Sequence, residues 1–292
     1  VHADDTVKNA LEGKTIVKEI YVKGKIYNYI VSAIFRESQL FFRSYGGFYR
    51  RLLKSFSHLF VQNDESVRLL HSIGVDNVTK VGDTRFDRVA DIAAKSKDLP
   101  IVQAFKSDAK VLIAGSSWPN DENILLPFFN QNLSLKLIIA PHEIDEGHLQ
   151  SIISQLKRPY VRYSQATIEN VKEVDCLIID CFGLLSSIYR YGEIAYVGGG
   201  FGVGIHNILE AAVYGIPVVF GPNFRKFQEA VDLHQEGGAF VVDSYESFSQ
   251  IMSEFLEENS SLYSSACKVS NDYSQANKGA TSKVVNAIFN QR

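Results

Sequence analysis

The sequence predicts an α/β protein built from two Rossmann-like domains, the first of them incomplete. Three observations carry that expectation. From Lys110 onward, short apolar runs rich in Val and Ile alternate with helix-like segments, which is the pattern of a parallel, doubly wound sheet. Ahead of Lys110 the chain offers too few strands for a complete Rossmann-type half. A chain of 292 residues also has room for two domains at about 150 residues each.

The elements follow in order. Residues 29–33 and 58–61 read as strands, with a third short one at 78–81. Helices are expected over 45–55 and 64–73, the second closed by Gly74 as a C-cap. The polar stretch around Pro100 reads as an interdomain linker, giving domains at 1–94 and 109–292 with 95–108 between them. The runs 111–114, 137–140, 176–179, 194–197, 218–220 and 240–242 are bounded by Gly, Pro or Asp, as strands buried on both faces should be. Helices are expected at 120–132, 144–156 and 224–235, and a last one, near 281–290, is expected to return to the first domain.

Composition excludes several classes. Hydrophobic residues make up 46% and charged residues 22%, which fits a globular chain and not a disordered one. The formal net charge is −3, so no nucleic-acid partner is expected from bulk charge. No apolar run is long enough to span a bilayer, and no signal-peptide pattern is visible. Cys176, Cys181 and Cys267 cannot all pair, and none has a partner at metal-ligand spacing. A reducing compartment, no metal and no cofactor are expected.

The most informative stretch is residues 194–222. A strand runs into Gly198, Gly199, Gly200, Gly202 and Gly204, then His206 and Asn207, then a helix over 209–214 closed by Gly215. Closely spaced glycines let a backbone approach a ligand, and a helix N-terminus turns free N–H groups toward an anion. A phosphate or nucleotide site is therefore expected at the carboxyl edge of the sheet. The alternative is a plain turn, with Asn207 and Glu210 in a capping arrangement. The segment is neither a GxGxxG motif followed by an acidic residue nor a Walker A loop, which weakens NAD and P-loop ATP readings.

GGGFGVGIHNILEAAVYGIPVVFGPNFRKFQEA resembles the donor-binding segment of the 3-deoxy-D-manno-octulosonic acid (Kdo) transferases. SAIFRESQLFFRSYGGFYRRLL, FVQNDESVRLLHSIGVDNVTKVGDTRFDRV, IAGSSWPNDE, IIAPHEI and IIDCFGLLSSIYRYG look like successive blocks of the same family. The likeness runs from about Tyr29 to Ala239, in the form of the Bacteroidetes branch. It implies GT-B architecture and inverting transfer of Kdo from CMP-Kdo to the lipid A precursor of lipopolysaccharide. The protein is then expected as a peripheral one on the cytoplasmic face of the bacterial inner membrane. The first domain becomes the acceptor side and the second the donor side.

The resemblance also implies site residues. Gly199, Gly200, Gly204, His206 and Asn207 are expected around the donor phosphate and sugar carboxylate, with Glu210 on the ribose. Ser116 and Ser117 follow the first strand of that domain and are expected to reach donor oxygens. Asp180 ends another strand, with capping of the following turn as its plain role. Pro141-His142-Glu143 stands where the commoner pattern has Pro-Arg-His, and Gly183-Leu184-Leu185 where it has Gly-Glu-Leu. Pro141, His142 and Gly183 are kept as donor contacts. Arg36, Arg43, Arg50, Arg51 and Lys54, interleaved with aromatics, form the expected acceptor and lipid cluster, since Arg pairs well with phosphate. An ordinary amphipathic helix is the alternative there.

The catalytic Glu block of the family and its membrane anchor are not visible in residues 1–28. Glu12 and Glu19 are the acidic candidates of the right type in that stretch, and neither follows a strand into a Gly-rich turn. The chain as given is therefore expected to transfer little or no Kdo. A GT-B transferase or epimerase using a UDP-sugar, and a donor-binding remnant without catalysis, are the alternatives.

Overall fold

The computed structural model describes residues 20–22, 25–96 and 98–289. Glu12 and Glu19 lie outside them. The chain divides into two compact units, one holding the residues up to Arg88 together with those from Asn277 onward, the other Val89–Ala276.

In the first unit β1 (Ile20–Val22) and β2 (Lys25–Tyr27) pair antiparallel. A parallel sheet follows in chain order, β3 (Tyr29–Ala33), β4 (His58–Val61) and β5 (Val78–Lys80). The helices Gly47–Lys54 and Asp64–Ser72 make the connections. The second starts at Asn63, whose side chain accepts the Ser66 N–H, and carries Asp64 and Glu65 in its first turn. Both features favour a helix N-terminus. It stops at Gly74, which adopts φ +70°. Leu69 and Leu70 pack with Leu59, Val61 and Leu53 into one core. On the other face Val31, Phe60 and Val81 are covered by Val284 of the helix Ala280–Phe289. Asp87 holds the start of that helix, accepting the N–H groups of Gly279 (2.6 Å) and Thr281 (2.7 Å).

The stretch expected as a linker is ordered secondary structure. It holds the end of the helix Thr84–Lys95 and the helix Pro100–Lys106, with Pro at its first position. Val102 and Phe105 are fully buried, and Lys106 pairs with Glu193. Two apolar residues three apart suffice to bury one stripe of a short helix, so the polar composition of the segment misleads.

The second unit is a seven-stranded, all-parallel sheet in the order β12-β11-β10-β6-β7-β9-β8. Its strands are β6 (Lys110–Ser117), β7 (Leu135–Pro141), β8 (Tyr160–Arg162), β9 (Cys176–Ile178), β10 (Ile194–Val197), β11 (Val218–Phe220) and β12 (Ala239–Val241). β6 is buried from Val111 through Gly115, flanked by β7 and β10. Phe128 and Phe129 of the helix Pro119–Gln131 pack over Leu112, Leu137 and Ile139, together with Phe248, Met252 and Phe255 of the helix Tyr245–Leu256. No helix among the described residues is long and apolar enough to cross a membrane.

Candidate functional site

The chain winds from β6 outward through β7 to the edge strand β8, returns to β9 between them, then crosses to β10 on the opposite side of β6. The connections at the carboxyl ends of β6 and β10 therefore diverge, and a crevice opens where an open α/β sheet binds ligands. A cavity of about 540 Å³ lies there. Its walls are Trp118, Pro119, Asn120 and Asp121 after β6, His142 after β7, and Gly199, Phe201, Gly202, Val203, Gly204 and His206 after β10.

Three rings form one side of the cavity. Trp118 stacks on His142 with centroids 4.6 Å apart, and His142 stacks on His206 at 4.4 Å. The Trp118 indole N–H donates to His206 Nε2 (3.1 Å). Burial pushes the His206 pKa down, with repulsion from His142 second, against the pull of Asp121 and Glu210. The His142 backbone is fixed through its N–H, which donates to the Ser117 carbonyl.

Two consecutive buried carboxylates hold the walls. Asp121 is fully buried. Its Oδ1 accepts the Tyr196 hydroxyl (2.7 Å), and its Oδ2 accepts the N–H groups of Trp118 (2.9 Å) and Gly199 (2.9 Å). One side chain thus ties the β6 loop to the glycine loop. Glu122, equally buried, accepts the Ser117 hydroxyl (2.9 Å) and faces His148 Nε2 (3.0 Å). His148 Nδ1 lies 2.8 Å from the Glu143 carbonyl, so this residue fastens the loop that carries His142. Burial raises the Glu122 pKa, while Ser117 and His148 oppose the shift. Glu143, Asp145 and His148 gather closely, but both ring nitrogens of His148 are already engaged, which leaves no imidazole for an ion.

The glycine loop serves packing as much as access. A Cβ on Gly198 would lie 2.2 Å from the Ser116 carbonyl oxygen, and one on Gly200 would lie 2.6 Å from the Gly221 backbone. Gly199 and Gly204 border the cavity, and both carry positive φ. The helix expected over 209–214 is a single turn, Leu209–Ala212. Its N-terminal field is that of one turn.

The predicted donor residues thus separate. His142, Gly199, Gly204 and His206 line the cavity. Ser117 is fully buried with its hydroxyl spent on Glu122, and Pro141 is buried beneath His142. Ser116, with φ +52°, shapes the bend that ends β6. Asn207 and Glu210 stand outside the lining and bond each other, Nδ2 to Oε1 at 3.0 Å, while Asn207 Oδ1 accepts the Leu209 N–H. This is a local turn ahead of the helix and not the capping arrangement the sequence allowed, because the cap position falls to Ile208, whose side chain makes no cap. Gly183 sits exposed in a turn after β9, away from the cavity. Asp180 accepts the Ser164 N–H (2.9 Å). Trp118 and Asp121 are the residues sequence reasoning missed. The signal was Trp118-Pro119 followed by Asp121, a helix start with Pro at N1 and an acid at N3.

The basic cluster of the first unit also divides. Phe35, Phe41 and Leu53 are core. Arg50 turns inward, its Nη2 donating to the carbonyls of Arg43 (2.9 Å) and Ser44 (3.1 Å). Arg36, Arg43, Arg51 and Lys54 are exposed. Beside them stand Leu40, Tyr45 (74% exposed) and Phe48 (55% exposed). The outcome is a surface that mixes cations and large apolar side chains.

Comparison with known proteins adds relatives. Residues 19–88 match the family described as 3-deoxy-D-manno-octulosonic-acid transferase (kdotransferase). A 3-deoxy-D-manno-octulosonic acid transferase of Aquifex aeolicus is 31% identical over 197 residues, covering 65% of this chain and 51% of that protein. The enzyme of the same name from Rickettsia bellii is 27% identical over 221 residues, 74% of this chain and 52% of that protein. The chain spans about half the length of the curated relatives it matches. Among solved structures, the C-terminal CMP-Kdo binding domain of WaaA from Acinetobacter baumannii superposes with a TM-score of 0.52 at 22% identity, covering 65% of this chain and 97% of that one. A putative UDP-N-acetylglucosamine 2-epimerase from Listeria monocytogenes reaches 0.60 at 11% identity, over 91% of this chain and 69% of that one. These likenesses carry the fold, which is α/β of the GT-B class.

Proposed function

We propose that the chain acts as a 3-deoxy-D-manno-octulosonic acid transferase does and that its second unit binds CMP-Kdo, the donor in Kdo transfer to the lipid A precursor. The observation that carries this reading is the cavity at the switch point, where His142 after β7 converges with Gly199, Gly204 and His206 after β10. A CMP-sugar brings one phosphodiester, a flat base and an acidic sugar. The imidazole edges and loop backbone suit the phosphate, and Trp118 with Phe201 supplies apolar surface for a ring. Glu210 is kept as a ribose contact through the oxygen that Asn207 does not bond. The fold likeness to a UDP-bound protein, MnaA of S. aureus, with a TM-score of 0.56, supplies the rival nucleotide. Calorimetry of the chain with CMP and with UDP separates the two. Tighter CMP binding supports the donor reading, and tighter UDP binding replaces it with a UDP-sugar enzyme.

The acceptor side is proposed on the first unit. Arg36, Arg43, Arg51 and Lys54 would meet the phosphates of the lipid A precursor and the anionic headgroups of the inner membrane. Leu40, Tyr45 and Phe48 would enter the interfacial layer. Each basic residue near an anionic leaflet contributes about 1 kcal/mol. Transfer itself needs a base within hydrogen-bond reach of the acceptor hydroxyl. By family resemblance that base is a Glu. A transfer assay with CMP-Kdo and a lipid A precursor tests this. Robust turnover by the chain alone would point to Glu12 and Glu19 as the first residues to substitute.

A further inference from the structure

The ring stack gives the two histidines unequal parts. His206 Nε2 accepts the Trp118 indole N–H, and an indole has only a donor to offer. This bond requires a neutral His206 with its proton on Nδ1, because a proton on Nε2 would set two donors against each other. Burial lowers the His206 pKa in the same sense. His142 stacks against both other rings and is the exposed histidine. Two imidazolium rings with centroids 4.4 Å apart repel, so a charge on one ring disfavours a charge on the other.

Asp121 and Glu210 pull a proton toward His206, and it is the Trp118 bond on His206 Nε2 that leaves the charge to His142. Asp121 approaches from the helix Pro119–Gln131 with both oxygens occupied by Tyr196, Trp118 and Gly199. Glu210 approaches from the turn beyond His206 and is bonded to Asn207. On the His142 loop itself, Glu143 and Asp145 follow in sequence, and His148 has both ring nitrogens engaged.

We propose that anion binding in this cavity is coupled to uptake of one proton at His142, while His206 is held neutral by Trp118 as a fixed acceptor. The proton comes from solvent as the phosphate enters, and no covalent bond forms or breaks. The identification of the anion as a CMP ester rests on the donor reading above. The division of labour within the stack does not.

Trp118 is the single tryptophan of the chain, so its emission reports on the stack. An imidazolium quenches a neighbouring indole, so acidifying the ligand-free chain is expected to lower the emission in one step. His142→Phe keeps a ring in the stack and is expected to abolish that step. His142→Gln, expected to do the same, serves if the first variant fails to fold. Adding CMP should move the step to higher pH, and cytidine should leave it in place. Between the two midpoints CMP affinity then falls about tenfold per pH unit. A full quenching step in both His142 variants would assign the proton to His206 and overturn the proposal. CMP binding seen by calorimetry without movement of the step would overturn the coupling and leave the donor reading standing. A step that moves with millimolar inorganic phosphate and ignores CMP would keep the coupling and overturn the donor reading. Movement with neither probe overturns the proposal.

Discussion

Replacing Asp121 by Ala removes the acceptor for three donors at once: the Tyr196 hydroxyl and the N–H groups of Trp118 and Gly199. Tyr196 and Gly199 are buried, so water cannot replace the carboxylate there. Each orphaned buried donor costs about 1–3 kcal/mol, and the void left by the side chain adds to that. Releasing a buried charge from a desolvated site offsets part of the loss. The net expectation is a destabilisation of about 3 kcal/mol, which at about 2–4 °C per kcal/mol for a unit of this size lowers the melting temperature by about 10 °C. Asp121→Asn preserves the volume and can keep its amide oxygen on the two backbone N–H groups with its NH2 toward the Tyr196 hydroxyl oxygen, so it should rescue much of the loss. Tyr196→Phe strips the donor from the buried Asp121 Oδ1 while the two N–H donors keep Oδ2, and should cost about 2 kcal/mol. Thermal unfolding followed by far-UV circular dichroism measures all three, with urea titrations read on Trp118 emission as a second probe. If Asp121→Ala costs no more than Tyr196→Phe, the carboxylate does not hold the two loops together.

Further outcomes are expected at other positions. Gly198→Ala should unfold or severely destabilise the second unit, because its Cβ meets the Ser116 carbonyl oxygen at 2.2 Å, whereas Gly202→Ala, whose nearest contact is 3.6 Å, should fold normally; soluble yield and melting temperature distinguish them. Glu210→Ala should weaken CMP binding by about 1–3 kcal/mol if its free oxygen bonds the ribose, and an unchanged CMP affinity in calorimetry would leave only the Asn207 bond. Reversing Arg43 and Arg51 to Glu should reduce sedimentation with anionic vesicles, and the loss should shrink as salt rises, because exposed charges are screened over about 8 Å at physiological ionic strength. Glu146 should titrate at about 2, since Arg162 holds its carboxylate in a two-pronged hydrogen bond. The pKa is depressed from 4.5, so the stabilisation is present above pH 4.5 and fades as pH falls toward 2. Arg162→Gln should return the NMR-monitored titration of Glu146 to the ordinary range.

The doubly wound sheet was legible because its strands are buried on both faces. Continuous Val and Ile runs such as those in β6 and β7 have few other uses. β8 was missed, being a three-residue edge strand with no buried residue and with Arg162 in it. The site was legible where chemistry and position coincide: His142 follows β7 directly, and His206 closes the glycine loop that follows β10. It was illegible where a polar residue works inward. Ser117 looks available after a strand, yet its hydroxyl faces Glu122, which only the three-dimensional course of the next helix reveals. Asp121 has the opposite history. Composition marks it as one more surface acid at a helix start, and the structure buries it between two loops nearly eighty positions apart in sequence. Glycines mislead similarly, because Gly198 and Gly200 accommodate neighbouring backbone as well as a nearby cavity.

The helix Ala280–Phe289 belongs to the first unit although the whole of the second is translated before it. During synthesis the sheet of β3, β4 and β5 leaves the ribosome without its cover, and Val31, Phe60 and Val81 wait for Val284. The second unit is contiguous and can close on the nascent chain as soon as β12 and the helices behind it have emerged. Its partner must stay open for some two hundred further codons, with Asp87 ready to receive Gly279 and Thr281. Expression that stops short of residue 277 would therefore free the second unit attached to a first one whose apolar face lacks the cover of Val284. The same gap makes the closing helix a natural timer, since the surface built by the first ninety residues is finished last.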